Sequence, residues 1–214
     1  MTPACCEHRI FAAKCDASMI QCPRKFSRHF AGRQIVDAVP VEPGRHGGGM
    51  KFEIMRMDEG DGPEALAVYE EGIAARQATF ETSLPSWEQW KAAHLTECRF
   101  VAKSGGVLLG WAALSSTSSR KCYSGVAEVS VYVREKARGQ GIGKALLEKI
   151  VAESEATGFW TLQGVTFPEN TASLRLQAHS GFREVGRRER IAQLDSVWRD
   201  TVLMERRSRR VGTT

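Results

Sequence analysis

The sequence lacks an apolar run of the length that a transmembrane helix requires. Its longest apolar stretch, residues 106–114, has the length of a strand, whereas a membrane-spanning helix needs roughly 18 apolar residues or more. Residues 1–14 contain neither a continuous apolar centre nor the small-residue cleavage pattern of a secretory signal. We therefore expect a soluble, cytoplasmic protein without a membrane partner.

Cysteine is scarce outside the amino-terminal segment. Four of the six cysteines precede residue 23, and the other two are Cys98 and Cys122. This distribution differs from a secreted disulfide framework, whose bridges hold the whole chain together. The early cysteines form no C-x-x-C pair and are not followed by the histidine spacing of structural zinc sites. We therefore expect no metal site.

Basic charge is concentrated at the two ends of the chain. The formal net charge is +5, of which residues 1–49 contribute +3 and the four arginines between 206 and 210 contribute +4. The body between them therefore carries −2, which does not indicate the basic surface of a nucleic-acid-binding domain. We expect no nucleic-acid partner.

A single domain is predicted to begin near residue 50. Residues 1–49 show no sustained period of two or about 3.6 residues, and they end in a glycine-rich run before Met50. Two interpretations stay open: residues 1–49 are a disordered extension, or they lie upstream of a translation start at Met50. We assign the domain to residues 50–206 and a basic flexible tail to residues 207–214.

From residue 50 onward, strand and helix patterns alternate. Ser86 and Gln89 form a capping box that predicts the start of a helix. Apolar periodicity predicts strands at 51–56, 99–103, 107–114, 126–133, 161–167, 182–190 and 196–205, and helices at 63–77, 86–95, 143–157 and 170–180. The resulting order, βααββαβαββ, is that of a mixed α/β domain, α+β-like in its arrangement.

Residues 138–145, with the sequence RGQGIGKA, carry the strongest functional signal. Alternate glycines leave backbone N–H groups accessible, and the helix that follows directs its positive end at them, so the loop suits a pyrophosphate. A Walker A loop would require Gly in place of Arg138 and Ser or Thr in place of Ala145. A dinucleotide fingerprint would require Gly in place of Lys144. A tight turn without a ligand is the remaining alternative.

This loop resembles the acetyl-CoA signature R/Q-x-x-G-x-G/A of the GNAT superfamily of N-acetyltransferases, through Arg138, Gly141 and Gly143. Downstream, N-x-x-S-x-x-L from Asn170 and the pair Gly181-Phe182 resemble further elements of the superfamily. The resemblance implies the GNAT fold, a twisted and mostly antiparallel sheet of six to seven strands flanked by about four helices. It also implies acetyl-CoA as the co-substrate, without a metal.

The resemblance further implies which residues contact acetyl-CoA. They lie on the fourth strand, in the loop and at the start of the last helix: Val131, Tyr132, Val133, Arg138, Gly139, Gln140, Gly141, Ile142, Gly143, Lys144, Asn170 and Ser173. For Asn170 a plain helix cap is the alternative, and the two roles can coexist.

Within the superfamily, residues 52–205 are similar to the phosphinothricin and methionine-sulfone acetyltransferases. The similarity is carried by short motifs in the same order: Thr79-Phe80-Glu81, Arg120-x-x-Tyr123, Glu128-x-x-Val131-Tyr132-Val133 and Trp198-x-Asp200. It implies a homodimer that acetylates a small amino acid or an amino-acid-like toxic analogue. We expect the substrate to contact Phe80, Arg120, Tyr123, Glu128 and Ser130. A carboxylate or phosphinate would pair with Arg120, for which a solvated loop arginine is the alternative.

The fourth strand carries the predicted chemistry. Alternation places Glu128, Ser130 and Tyr132 on one face of this strand. The alternative is a half-buried strand whose polar face is only exposed to water and has no catalytic role. Because this strand leads into the phosphate loop, we predict that Glu128 accepts the proton of the attacking amine. The backbone N–H of Val131 resembles the oxyanion donor of the superfamily.

Protonation of the leaving thiol is open. Gln177 stands seven residues after Asn170, where related enzymes carry Tyr or His. An amide is no general acid at neutral pH, although it can donate a hydrogen bond to sulfur, and Tyr132 is an alternative donor. His179 lies two residues after Gln177, so its side chain projects from a different face of the helix.

Three functions fit the sequence. The first is N-acetylation of a small amine by direct attack in a ternary complex, which the substrate motifs favour. The second is acetylation of a protein amino terminus or lysine. The third is a non-catalytic acyl-CoA-binding or nucleic-acid-binding module, which the presence of both Glu128 and the loop disfavours.

Overall fold

The computed structural model describes residues 50–213, so the predictions for residues 1–49 lie outside the described range. The order of helices and strands is the predicted βααββαβαββ. The strands are β1 (Glu53–Arg56), β2 (Arg99–Ser104), β3 (Val107–Ser116), β4 (Val126–Val133), β5 (Thr161–Thr166), β6 (Arg183–Leu194) and β7 (Val197–Arg207). The helices are α1 (Gly62–Ala74), α2 (Trp87–Ala93), α3 (Ile142–Ala156) and α4 (Thr171–His179).

The seven strands form one sheet in the order β1-β2-β3-β4-β5-β7-β6. β4 and β5 are parallel, and the other neighbouring strands are antiparallel. A parallel pair needs a crossover connection, which α3 provides between β4 and β5. The mixed α/β architecture with a mostly antiparallel sheet and four helices confirms the predicted fold class.

Each face of the sheet has its own hydrophobic core. On one face, Leu146 and Ile150 of α3 pack on a cluster that includes Ala112 of β3. On the other face, Val68 of α1 packs in a cluster with Trp111. Neighbouring residues of β3 belong to different clusters because side chains alternate along a strand. The helices therefore cover both faces of the central strands.

Several element boundaries have clear local causes. The capping box is present, since the Gln89 N–H donates to Ser86 Oγ (3.2 Å) and the Ser86 N–H donates to Gln89 Oε1 (2.8 Å). α1 ends at Ala74 rather than at 77, because Arg76 takes a left-handed φ of 54°. β6 extends beyond its predicted end because it pairs with β7 up to the turn at Asp195 and Ser196. β7 extends beyond its predicted end because Arg206 and Arg207 pair with β5.

The contacts of the domain continue past residue 206, into the predicted basic tail. Ser208 is only 4% exposed, and its N–H donates to the carbonyl oxygen of Trp160 at 2.8 Å. The Arg207 guanidinium donates to the same carbonyl at 2.9 Å. Within residues 50–213, no helix is both long enough and apolar enough to cross a bilayer.

Candidate active site

β4 and β5 separate partway along their length. Their parallel pairing ends at Glu128 and Gln163, although β4 continues to Val133 and β5 to Thr166. A cavity of about 760 Å³ opens at this gap, bounded by β4, by the loop before α3 and by the first turns of α4. The predicted catalytic strand and the predicted phosphate loop therefore face the same space.

The cavity brings together most of the residues predicted from the sequence. Its lining includes Phe80, Glu128, Ser130, Val131, Tyr132, Val133, Arg138, Gly139, Gly141, Ile142, Gly143, Lys144, Asn170 and Ser173. Three predicted residues do not line it: Arg120, Tyr123 and Gln140.

The backbone of β4 presents hydrogen-bond donors to the gap. The Arg134 N–H donates to the carbonyl oxygen of Leu109 on β3, at 2.8 Å. Because successive N–H groups of a strand point to opposite sides, the N–H groups of Val131 and Val133 face away from β3, toward β5. The pairing of β4 with β5 has ended before these residues. The Val131 N–H is therefore available to a bound group in the cavity.

Glu128 is half-buried on the cavity wall. Burial raises the pKa of its carboxyl group above the ordinary value, and the positive charge of Arg188 partly offsets this rise. A raised pKa makes a carboxylate a stronger base. This environment suits a group that accepts a proton near neutral pH.

The loop before α3 exposes backbone donors. Gly139 and Gly141 have left-handed φ values of 76° and 83°, which residues with a side chain rarely adopt. The first hydrogen bond within α3 runs from the Ala145 N–H to the Gly141 carbonyl at 3.0 Å, so the N–H groups of residues 142–144 have no partner inside the helix. Together with the positive end of the helix dipole, these groups can hold a phosphate anion.

The start of α4 forms the opposite wall of the cavity. Asn170 caps this helix, accepting a hydrogen bond from the Ser173 N–H at 3.1 Å, and its amide also donates to the carbonyl oxygen of Gln77 at 3.1 Å. The helix-cap role of Asn170 is therefore present in the structure. The same side chain lines the cavity.

Gln177 is nearly buried, with 6% of its surface exposed. Its Nε2 donates to Thr166 Oγ1 at 2.8 Å and to Ser173 Oγ at 3.1 Å. Both amide hydrogens are thus engaged, so Gln177 retains none for a sulfur atom. The hydroxyl groups of Thr166 and Ser173 accept these bonds and keep their own hydrogens as donors. His179 does not line the cavity, and its Nδ1 lies 2.7 Å from the carbonyl oxygen of Arg175.

Tyr132 is held in place from several sides. Its ring stacks on Trp111 with centroids 4.7 Å apart, and its hydroxyl donates to the carbonyl oxygen of Ala78 at 3.2 Å. Burial raises the pKa of Tyr132 far above the ordinary value. Its phenol is therefore a weaker acid than a free tyrosine.

Arg120 and Tyr123 do not line the cavity. Both lie in the turn that connects β3 to β4, and their contact with the substrate stays a prediction. Tyr123 is 45% exposed, and the Arg120 guanidinium lies 5.7 Å from the centre of its ring. Gln140 also points elsewhere, since its amide donates to the carbonyl oxygen of Lys136 at 3.4 Å. Of the predicted substrate residues, Phe80, Glu128 and Ser130 line the cavity.

Some residues at the site had no recognisable signal in the sequence. Phe167 packs edge-to-face on Phe80 with centroids 4.8 Å apart. Thr201 is 1% exposed and lines the cavity, although it lies near the end of the chain. Arg188 does not itself line the cavity, but its Nε donates to Thr201 Oγ1 at 3.1 Å. These residues reach the site only through the pairing of β5, β7 and β6.

No metal-binding cluster is present in the described part of the chain. Among residues 50–213, no group of three or more His, Cys, Asp or Glu side chains is arranged to hold a metal ion. The donors that surround the cavity are backbone N–H groups, hydroxyls and cationic side chains. This donor set suits a phosphate-containing ligand.

Comparison with known proteins identifies the class of this domain. The model of the acetyltransferase (GNAT) family matches residues 65–182. A solved structure of a GNAT superfamily phosphinothricin acetyltransferase from Sinorhizobium meliloti, in complex with AcCoA, superposes with a TM-score of 0.70 at 27% identity. The alignment covers 76% of this chain and 91% of that one. The fold and the site therefore define a GNAT-type acyltransferase domain.

Two relatives agree with this class. The chain is 34% identical over 153 residues to the phosphinothricin N-acetyltransferase of Alcaligenes faecalis, covering 68% of this chain and 77% of that protein. It is 26% identical over 151 residues to the L-methionine sulfoximine/L-methionine sulfone acetyltransferase of Pseudomonas aeruginosa. That alignment covers 68% of this chain and 88% of that protein. The chain belongs to the acetyltransferase (GNAT) family, as its sequence motifs predict.

Proposed function

We propose that this protein transfers the acetyl group of acetyl-CoA to the α-amino group of a small amino acid or analogue, by direct attack in a ternary complex. One observation carries the proposal: a single cavity holds both Glu128 and the amino-terminal end of α3. The first is a proton acceptor, and the second is an anion site. The names of the relatives from Alcaligenes faecalis and Pseudomonas aeruginosa support a substrate of the phosphinothricin or methionine-sulfone type.

The residues at the loop fit acetyl-CoA. The unpaired N–H groups of residues 142–144 suit the pyrophosphate, and Arg138 and Lys144 add positive charge on the same wall. Asn170 and Ser173 face the cavity from α4, where they would contact the pantetheine arm. Acetyl-CoA supplies the acetyl thioester when it is bound, and the chain supplies the groups that move protons and stabilise charge.

Glu128 and Val131 are assigned the two chemical roles. An amine attacks only as the free base, and Glu128, whose pKa is raised by burial, accepts the proton that the amine loses. The Val131 N–H, which faces the gap between β4 and β5, donates to the carbonyl oxygen as that oxygen gains negative charge. The two groups lie three residues apart on β4 and share one cavity.

The departing thiol receives a hydrogen bond in this proposal. The Ser173 hydroxyl lines the cavity, accepts from Gln177 and keeps its own hydrogen to donate. Tyr132, the donor considered from the sequence, is engaged with Ala78 and has a raised pKa. A thiolate stabilised by hydrogen bonding can leave without a strong acid nearby, and it then takes its proton from solvent.

A homodimer is the proposed assembly. The β6–β7 hairpin lies at the edge of the sheet and exposes Ile191 (49%), Val197 (60%) and Trp198 (55%) to solvent. An apolar group of this kind at a sheet edge is typical of an interface. The dimer and the cytoplasmic location stay predictions.

The function is tested by a substrate panel with acetyl-CoA, in which thiol release is measured. The panel contains the free amino acids, phosphinothricin, methionine sulfoximine and methionine sulfone, together with short peptides that carry a free amino terminus or a lysine. We expect turnover with at least one free amino acid or analogue and little with the peptides. Turnover confined to the peptides would instead favour protein acetylation, and binding of acetyl-CoA without any turnover would favour a non-catalytic module.

A further inference from the structure

The phosphate loop, residues 138–145, is connected to β4 by a short segment, residues 134–137. Gly139 and Gly141 lie inside the loop with left-handed φ values, and glycine restricts the backbone less than any other residue. The glycines therefore do little to fix the position of the loop. Its backbone donors depend on how the connecting segment is held on one side and how α3 is packed on the other.

Glu71 of α1 holds the beginning of the connecting segment. Its Oε2 accepts a hydrogen bond from the Glu135 N–H at 2.8 Å, and its Oε1 accepts one from Nη1 of Arg134 at 3.1 Å. The single turn Glu135–Ala137 receives no cap from the side chain of Arg134, the residue before it. Glu71 supplies the acceptor that the first N–H of this turn needs. One carboxylate thereby fixes the backbone of one residue and the side chain of its neighbour.

The side chain of Arg134 extends the same connection to β3. Its Nε donates to the carbonyl oxygen of Leu108 at 2.7 Å, and its Nη2 lies 3.6 Å from Oε2 of Glu64 on α1. Glu64 in turn accepts a hydrogen bond from the Leu108 N–H at 2.9 Å. Two carboxylates of one helix and one arginine therefore join α1, β3 and the segment before the phosphate loop.

α1 is a firm support for this connection. Ala65 and Val68 are buried against the sheet, and the Ala65 carbonyl oxygen accepts a hydrogen bond from Nε1 of Trp111 at 3.0 Å. Glu71 lies three residues after Val68, about one turn further along the helix. Its backbone cannot shift far without a loss of packing in the core, because protein interiors are close-packed.

We propose that Glu71 is a positioning residue for acetyl-CoA binding. It holds the segment before the phosphate loop, so that the backbone N–H groups of the loop lie where they bind the pyrophosphate. Glu71 does not line the cavity, so it acts through the loop and not by contact with the ligand. Donors that are already in place bind an anion more tightly than donors that must first be ordered. The inference rests on the proposed function for acetyl-CoA as the ligand of the loop.

The test measures the affinity for acetyl-CoA by calorimetry in wild type and in two variants of Glu71. Glu71→Ala removes both acceptors, and we expect the Kd to rise at least tenfold, about 1.4 kcal/mol. Glu71→Gln keeps an acceptor for the Glu135 N–H but loses the charge that pairs with Arg134, so its Kd should be intermediate. Glu70→Ala is the matched control, because Glu70 is the adjacent and exposed carboxylate of α1. Its Kd should equal that of wild type.

Two kinetic measurements separate a role in positioning the loop from a general loss of structure. The first uses acetyl-pantetheine, which keeps the thioester and the pantetheine arm of acetyl-CoA but has no pyrophosphate. Glu71→Ala should lower kcat/KM for acetyl-CoA at least tenfold and leave kcat/KM for acetyl-pantetheine unchanged. The second is the KM of the amine at saturating acetyl-CoA, which should stay at the wild-type value. The melting temperature of each variant reports on folding.

The outcomes distinguish this inference from the proposed function. A wild-type protein that binds no acetyl-CoA would contradict the proposed function, and this inference with it. If wild type binds acetyl-CoA and a folded Glu71→Ala protein binds it equally well, the proposed function stands and the positioning role is refuted. An equal loss of kcat/KM with both acetyl donors would also refute this role, because the whole cavity would then be distorted. If Glu71→Ala does not fold, Glu71→Gln takes its place, and a Kd equal to that of wild type is the refuting result.

Discussion

Replacing Glu128 with Gln tests the chemistry of the site most directly. The substitution keeps the size of the side chain and removes its ability to accept a proton. Because Glu128 lies on the substrate side of the cavity and not in the phosphate loop, the affinity for acetyl-CoA should be unchanged. A general base contributes about a hundredfold or more to turnover, so kcat near pH 7 should fall by at least this factor.

The pH dependence sets a second expectation for the same variant. An α-amine with a pKa near 8 is about one tenth free base at pH 7 and about nine tenths at pH 9. The rate of Glu128→Gln should therefore rise about tenfold over this interval, since it depends on amine that is already deprotonated. The wild-type rate should fall in acid as the pH drops below the raised pKa of Glu128.

The raised pKa also has a consequence for stability. The folded protein holds the Glu128 proton more tightly than the unfolded chain does. The free energy of unfolding therefore falls as pH rises from the ordinary pKa of a glutamate through the raised pKa of Glu128. A glutamine at this position does not titrate and causes no such fall. Glu128→Gln should therefore melt at the same or a higher temperature than wild type at pH 7, and any difference should shrink toward acid pH.

The assay is steady-state thiol release with the best amine of the panel, between pH 6 and about 9, the range over which the amine titrates. Glu205→Gln is a matched control, because Glu205 is a carboxylate on the same sheet face that pairs with Arg183 at 2.6 Å and does not line the cavity. It should retain wild-type turnover. A Glu128→Gln protein that turns over at the wild-type rate at pH 7 would refute the base assignment.

Three further predictions follow from the loop, the boundary and the sheet edge. Gly141→Val should weaken acetyl-CoA binding at least tenfold in calorimetry, because a φ of 83° disfavours a side chain and a branched Cβ obstructs the backbone donors. The control, Gly105→Val at φ 56° in the β2–β3 turn, should lower stability but not the affinity for acetyl-CoA. Normal affinity of a folded Gly141→Val protein would remove the cofactor assignment. Deleting residues 1–49 should leave the melting temperature and acetyl-CoA affinity unchanged, and a large fall in melting temperature would show that the boundary is wrong. Light scattering at micromolar concentration should give a dimer mass for wild type and a monomer mass for Trp198→Glu, because Trp198 is 55% exposed at the sheet edge; a wild-type monomer would contradict the assembly.

Much of the fold could be predicted because its signals are local. The capping box at Ser86, the β-branched run of β4 and the glycines before α3 each act within a few residues of the chain. Alternation within β4 separates the face of Glu128 from that of Val131, a distinction that needs no distant partner. The family followed from the same segments, because its signature lies in one continuous loop and the first turn of one helix.

Other features depended on contacts between distant segments. Gln177 and Thr166 are brought together by the packing of α4 on β5, which decides where the amide hydrogens of Gln177 are used. Arg120 stands in a motif but does not line the cavity, whereas Thr201 stands in no motif and lines the cavity through the pairing of β7 with β5. The sequence by itself determined the helices, the strands and the loop before α3, because short-range sterics and periodicity encode them. Only the tertiary structure decided which residues of β5 and β7 line the cavity, because strand register is set by the whole sheet.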